Sequence, residues 1–108
     1  MALFMAQFTY TPEAWARLAK HPEDRSAGLK AITEQLGGRL LHLYYSFGEY
    51  DGVVIFEAPD DIAGAVTPLA ANVAGHLKAI KTTKLFSVED AMTIMQKVGS
   101  LTYKAPTG

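Results

Sequence analysis

Residues 39–58, RLLHLYYSFGEYDGVVIFEA, hold two strongly apolar β patterns joined by a short glycine-rich turn, and the rest of the chain arranges itself around this hairpin. On the first arm the odd set is Arg39, Leu41, Leu43, Tyr45 and Phe47, and the even set is Leu40, His42, Tyr44 and Ser46. The return arm carries Val53 and Ile55 on one side and Val54 and Phe56 on the other. Neither face reads as solvent. The turn Gly48-Glu49-Tyr50-Asp51-Gly52 offers glycines where positive φ is expected and an aspartate to bond its own backbone.

Upstream, residues 3–10 are apolar on both alternation sets, as in a strand buried on two faces. Thr11, Pro12 and Glu13 then give a hydroxyl cap, a preset φ and a carboxylate for the positive dipole end, so a helix starts there. His21-Pro22 interrupts it, because the residue before proline is pushed out of the α region, and Glu23-Asp24 restart it. Leu29, Ile32 and Leu36 form an apolar stripe facing the sheet, stopped by Gly37-Gly38.

Downstream, Pro59-Asp60-Asp61 opens a helix whose buried stripe is expected to be Ile62, Val66, Leu69 and Val73. Pro68 lies inside it and predicts a kink or an early end, since its ring presses on the carbonyl of Gly64. Residues 76–86 read as a fourth strand whose Lys78, Lys81 and Lys84 suit a charged sheet edge. Ser87 with Asp90 is a capping signature for a last amphipathic helix (Ala91, Ile94, Met95, Val98) ending at Gly99. The order βαββαβ plus a terminal helix predicts an α+β, ferredoxin-like fold, an antiparallel sheet with helices on one side.

At 108 residues one domain covering 1–108 is expected. Charged residues at 19% and hydrophobic ones at 49% are ordinary globular values, and a net charge of −1 gives no pull toward nucleic acid or an anionic membrane. Cysteine is absent, which removes thiolate chemistry and fits a reducing cytoplasm. The N-terminus lacks a signal-peptide pattern, and no apolar run nears the roughly 20 residues needed to span a bilayer, so a cytoplasmic protein is expected.

Helices cover one face of such a sheet, yet the strands are apolar on both. Leaving about eight large side chains open would forfeit on the order of 10 kcal/mol, as much as the whole stability of a small domain. The sequence therefore predicts a homodimer or larger assembly of this chain, packed through the sheet face.

The run LGGRLLHLYYSFGEYDGVVIFEAPDD, with its Gly48-Glu49-Tyr50-Asp51 turn, resembles the GYD domain family, and the likeness extends through Thr82-Thr83. Glu49 stands between the glycine and the tyrosine of the family's name. The resemblance implies a ferredoxin-like domain of the dimeric α/β barrel type without implying an activity. The same turn looks like the effector-binding module of leucine-responsive and asparagine-type transcription regulators, where it lies near an inter-subunit amino-acid pocket. This chain has no room for their helix-turn-helix, so what carries over is ligand sensing and not DNA binding.

Five residues are candidates for ligand contact: Tyr50 and Asp51, a phenol beside a carboxylate; His42, an imidazole among apolar neighbours; Tyr45; and Arg25, a guanidinium one turn before Leu29. Each also has a structural reading, as turn acceptor, packed ring or surface ion pair. No metal is expected within a protomer, because no H-x-H, H-x-x-x-H or H-E-x-x-H spacing occurs and strand order 4-1-3-2 puts His42 and His76 on opposite edges. No cofactor motif is present, neither G-x-G-x-x-G nor a P-loop. The leading reading is an oligomeric small-molecule-binding or regulatory module. The alternative is a cofactor-independent enzyme, a small monooxygenase or isomerase, using His42, Tyr45 or Asp51 as acid or base; it requires an apolar pocket of several hundred Å3 with convergent polar groups.

Overall fold

A computed structural model describes residues 1–107. It has β1 (Ala2–Tyr10), α1 (Pro12–Lys20), α2 (Ser26–Gln35), β2 (Arg39–Tyr45), β3 (Gly52–Ala58), α3 (Asp61–Val73), β4 (Leu77–Leu85) and α4 (Val88–Gly99). The strands form one antiparallel sheet in the order β2-β3-β1-β4, the ferredoxin-like arrangement expected. Among the described residues no helix is long and apolar enough to cross a membrane.

The core lies between the sheet and α1–α3. Phe4, Ala6, Phe8 and Tyr10 of β1 and Val54, Phe56 and Ala58 of β3 point into it, with Phe4 stacked on Phe56 at 5.5 Å. Leu29 of α2 and Leu36, just past its end, pack against it, as their stripe predicts. The split between α1 and α2 falls at His21-Pro22, but α2 begins only at Ser26: Asp24 Oδ1 accepts from the Ser26 amide and hydroxyl in a turn ahead of the helix, so Glu23 and Asp24 lie outside its first turn.

Two expectations on side-chain direction change. In β2 the register shifts between Leu40 and His42, so Leu41 is the extra residue of a bulge. Leu40, Leu43 and Tyr45 consequently pair with Phe56, Val54 and Gly52 on the helix side, whereas His42 and Tyr44 pair with Ile55 and Val53 on the other face. In α3 the buried residues are Ala63, Gly64, Thr67 and Pro68, and the stripe expected to be buried is exposed, Ile62 at 75% and Val73 at 77%. The reason is proximity. A Cβ on Gly64 would collide with the Phe4 ring, so α3 rides on its small residues and turns its large ones outward. Nor does Pro68 end the helix, which runs unbroken to Val73.

The turn differs as well. Positive φ falls on Phe47 (53°), Gly37 and Gly75, and not on Gly48 or Gly52. Gly52 is needed for another reason: a Cβ there would stand 2.5 Å from the Phe8 ring and 2.7 Å from the Tyr44 carbonyl.

Candidate functional site

Tyr10, the last residue of β1, sits where three elements meet. Its ring lies 5.1 Å from Phe8 and 5.1 Å edge-on from Trp15 of α1, and its hydroxyl is 3.3 Å from that of Tyr45. Asp51 ties this group together. Its Oδ2 accepts from the Tyr10 amide at 2.9 Å and from the Trp15 indole at 2.8 Å, while its own amide donates to the Phe8 carbonyl at 2.8 Å. The carboxylate thus fastens the hairpin turn to β1 and α1; it does not bond its own turn. Phe47 closes the outside, stacked on Tyr45 at 5.9 Å and beside Trp15 at 5.8 Å.

His76, just before β4, reaches the same place. The Thr11 amide donates to its carbonyl at 3.0 Å, and its ring lies 5.9 Å from that of Tyr10. Arg25, from the α1–α2 link, completes the group; its guanidinium donates to Glu23 at 3.0 Å and acts electrostatically on both Tyr10 and His76. Burial, then the hydrogen bond with Tyr45, pushes the Tyr10 phenol well above its usual range against the opposing pull of Arg25. Tyr10 is therefore a neutral hydroxyl. Burial first, then Arg25 and Arg17, hold His76 below the usual imidazole value, so near neutral pH it is uncharged.

Beneath these groups an apolar cavity of about 190 Å3 runs between the sheet and helices α2 and α3. Its wall includes Phe8, Leu29, Ile32, Phe56, Pro68 and Ile80, and Tyr10, Arg25 and His76 stand at its end. The same three residues line a second, more polar hollow of about 430 Å3 shared with Arg17, His21 and Glu23. The apolar space and the polar hollow thus share these three polar groups on their walls.

The five sequence candidates divide over this geometry. Arg25 lines the cavity, and Tyr45 and Asp51 lie in the aromatic group next to it. Tyr50 is half-buried and enters the turn through its carbonyl, which accepts from the Ser46 hydroxyl and the Gly48 amide. His42 is on the far face of the sheet, its ring stacked on Tyr44 with Nδ1 at 3.3 Å from that hydroxyl. Among the described residues no group of three His, Asp or Glu side chains could hold a metal ion. Tyr10, Trp15 and His76 were not candidates, although the expected strand order sets the end of β1 beside the start of β4 and so brings Tyr10 to His76.

A model of the GYD domain matches residues 4–95, from the first core phenylalanine of β1 into α4. The chain belongs to the GYD domain family. The match holds every residue of the aromatic group and the cavity wall. Two solved structures are similar to this GYD domain. One is an uncharacterised NIPSNAP domain protein from Burkholderia xenovorans, 13% identical, with a TM-score of 0.47 over 82% of this chain and 95% of that one. The other is an MhuD variant crystallised with two manganese protoporphyrin IX molecules per active site, 19% identical, with a TM-score of 0.46 and the same coverage. No curated protein matches the chain significantly.

Proposed function

We propose that this GYD domain is a self-associating module that binds a small amphipathic acid, its apolar body in the cavity and its carboxylate among Tyr10, Arg25 and His76. The observation that carries this reading is the end of the cavity: apolar on its walls, then a hydroxyl donor, a guanidinium and an imidazole at one side. Burial of an apolar body excludes water, and a charge-assisted contact with Arg25 fixes the head. A volume of about 190 Å3 suits a phenyl ring or a chain of six to eight carbons, since a 150 Å3 apolar cavity accepts benzene. Self-association uses the other face of the sheet, where Leu3, Met5, Val53 and Ile55 are only half-buried within the protomer.

Octanoate and 3-phenylpropanoate are the probes, followed by calorimetry and by chemical-shift changes. A ligand of about ten heavy atoms should bind with a Kd on the order of 10–100 μM. Arg25→Gln should weaken it about 10- to 100-fold, the worth of one hydrogen bond to a charged group. No shift at Tyr10, His76 or Ile32 up to millimolar probe would overturn the reading. Recovery of the probe chemically altered after incubation would instead favour the enzyme alternative, with Tyr10 and His76 as the proton-handling groups.

pH separates the empty and the loaded protein. His76 has its native pKa below the ordinary value of 6.5, so as pH falls through that value the unfolded chain takes up a proton that the native one refuses. Stability of the empty domain should therefore decline on acidification until pH passes below the native pKa. An anion beside His76 raises that pKa, so octanoate affinity should rise over the same interval. Thermal melts and titrations between pH 7.5 and pH 5.5 read both slopes, and parallel slopes would place the carboxylate away from His76.

A further inference from the structure

Helix α4 has no buried residue, and Val88, Met92, Met95 and Val98 are 54–79% exposed. The radius of gyration, 17.5 Å, exceeds the roughly 13 Å of a compact chain this long. The protein is a body with an arm. On that body α3 sets small residues against the sheet and turns Ile62, Val66, Leu69 and Val73 outward, so it carries an apolar surface on both sides, a pattern that belongs to a helix covered twice.

We propose that α4 of one copy docks antiparallel along the outward stripe of α3 in a second copy. The two stripes match over three positions. Read backwards, 73, 69 and 66 step by four and three, as 88, 92 and 95 do forwards, and each stripe is about 15 Å long and suits knobs-into-holes packing. In the antiparallel register Leu69 meets Met92, Val66 meets Met95 and Val73 meets Val88. Lys97 then lies toward Asp60 and Asp61 at the start of α3, and the helix dipoles oppose.

Charge also argues against the arm closing on its own body. α3 runs opposite to β4, with Asp61 beside Lys84 near the strand's end. An α4 returning from that end would run parallel to its own α3 and set Glu89 and Asp90 against Asp60 and Asp61, like charges at two aligned dipole ends. Two reciprocal seams with their polar flanks would bury on the order of 1,500 Å2, the size of a standard stable interface. The contact is independent of the ligand reading.

The chain has no cysteine, which makes a disulfide test clean. Leu69→Cys in one isotopically labelled preparation and Met92→Cys in another are mixed and oxidised. A mixed-label dimer carrying the 69–92 bond is expected, at least tenfold above the yield from Ala27→Cys with Met92→Cys, a pair that includes an exposed position on α2. Leu69→Glu, on the surface and harmless to the fold, should weaken association at least tenfold in sedimentation equilibrium. An intrachain bond in dilute Leu69→Cys/Met92→Cys protein would show an arm folded on its own body. Preferential Met92–Met92 linkage between the single variants would show arms paired with each other. Either result, a mixed yield no higher than the control, or association unmoved by Leu69→Glu would overturn the proposal.

Discussion

Asp51→Ala is expected to destabilise the domain by about 4 kcal/mol, enough to unfold much of it at 37 °C. The carboxylate accepts from the Tyr10 amide and the Trp15 indole in a half-buried site, and truncation leaves both donors without a partner. Each orphaned donor costs about 1–3 kcal/mol, against a total of about 5–15 kcal/mol for a domain of this size. Asp51→Asn keeps an acceptor oxygen and should lose about half as much. Urea denaturation followed by fluorescence of the single tryptophan, Trp15, reads both variants. An Asp51→Ala domain of unchanged stability with weakened octanoate binding would return Asp51 to the role of ligand contact.

The second large effect concerns Gly38. A Cβ there would run into the backbone carbonyl of Glu57 and crowd the Cα of Ala58 at 3.2 Å, so the start of β2 could not lie against the end of β3. Backbone cannot rotate away as a side chain can, and Gly38→Ala is expected to cost about 3 kcal/mol, the upper range for overpacking. Gly37 is the control. It holds the left-handed conformation, φ 79°, but a Cβ would meet only Pro59 Cγ at an ordinary 3.7 Å, so Gly37→Ala should cost about 1–2 kcal/mol. Thermal melts of the pair decide it, and a Gly38→Ala protein as stable as Gly37→Ala would show that the β2–β3 edge yields.

That contrast marks how far the sequence could be read. Gly37-Gly38 is legible as a helix stop, because αL chemistry is local; that the second glycine is needed for close approach depends on a strand twenty residues away. The same division runs through the chain. Caps at Thr11, Asp60 and Ser87, the break at His21-Pro22 and the order of strands follow from nearest neighbours and period. The face that α3 presents does not, since Ile62 and Ala63 are both apolar and only the bulk of Phe4 beneath the helix decides between them. The bulge at Leu41 takes Leu40 off the face that strict alternation gave it with His42 and Tyr44. At the site, Arg25, Tyr45 and Asp51 were visible as polar groups at strand and helix ends. Tyr10 and His76 looked like strand residues until pairing of β1 with β4 set them side by side.

The bulge has a consequence for the unfolded and nascent protein. β2 is an outer strand of the sheet, and LLHLYY, rich in β-forming residues and without a formal charge at neutral pH when its histidine is neutral, is the kind of hexapeptide that stacks into dry cross-β ladders. Leu41 interrupts its pleat in the middle, so the native strand cannot offer an unbroken template to another copy. The residue that scrambles the sequence pattern is thus also the one that guards the chain against fibril growth once it has folded.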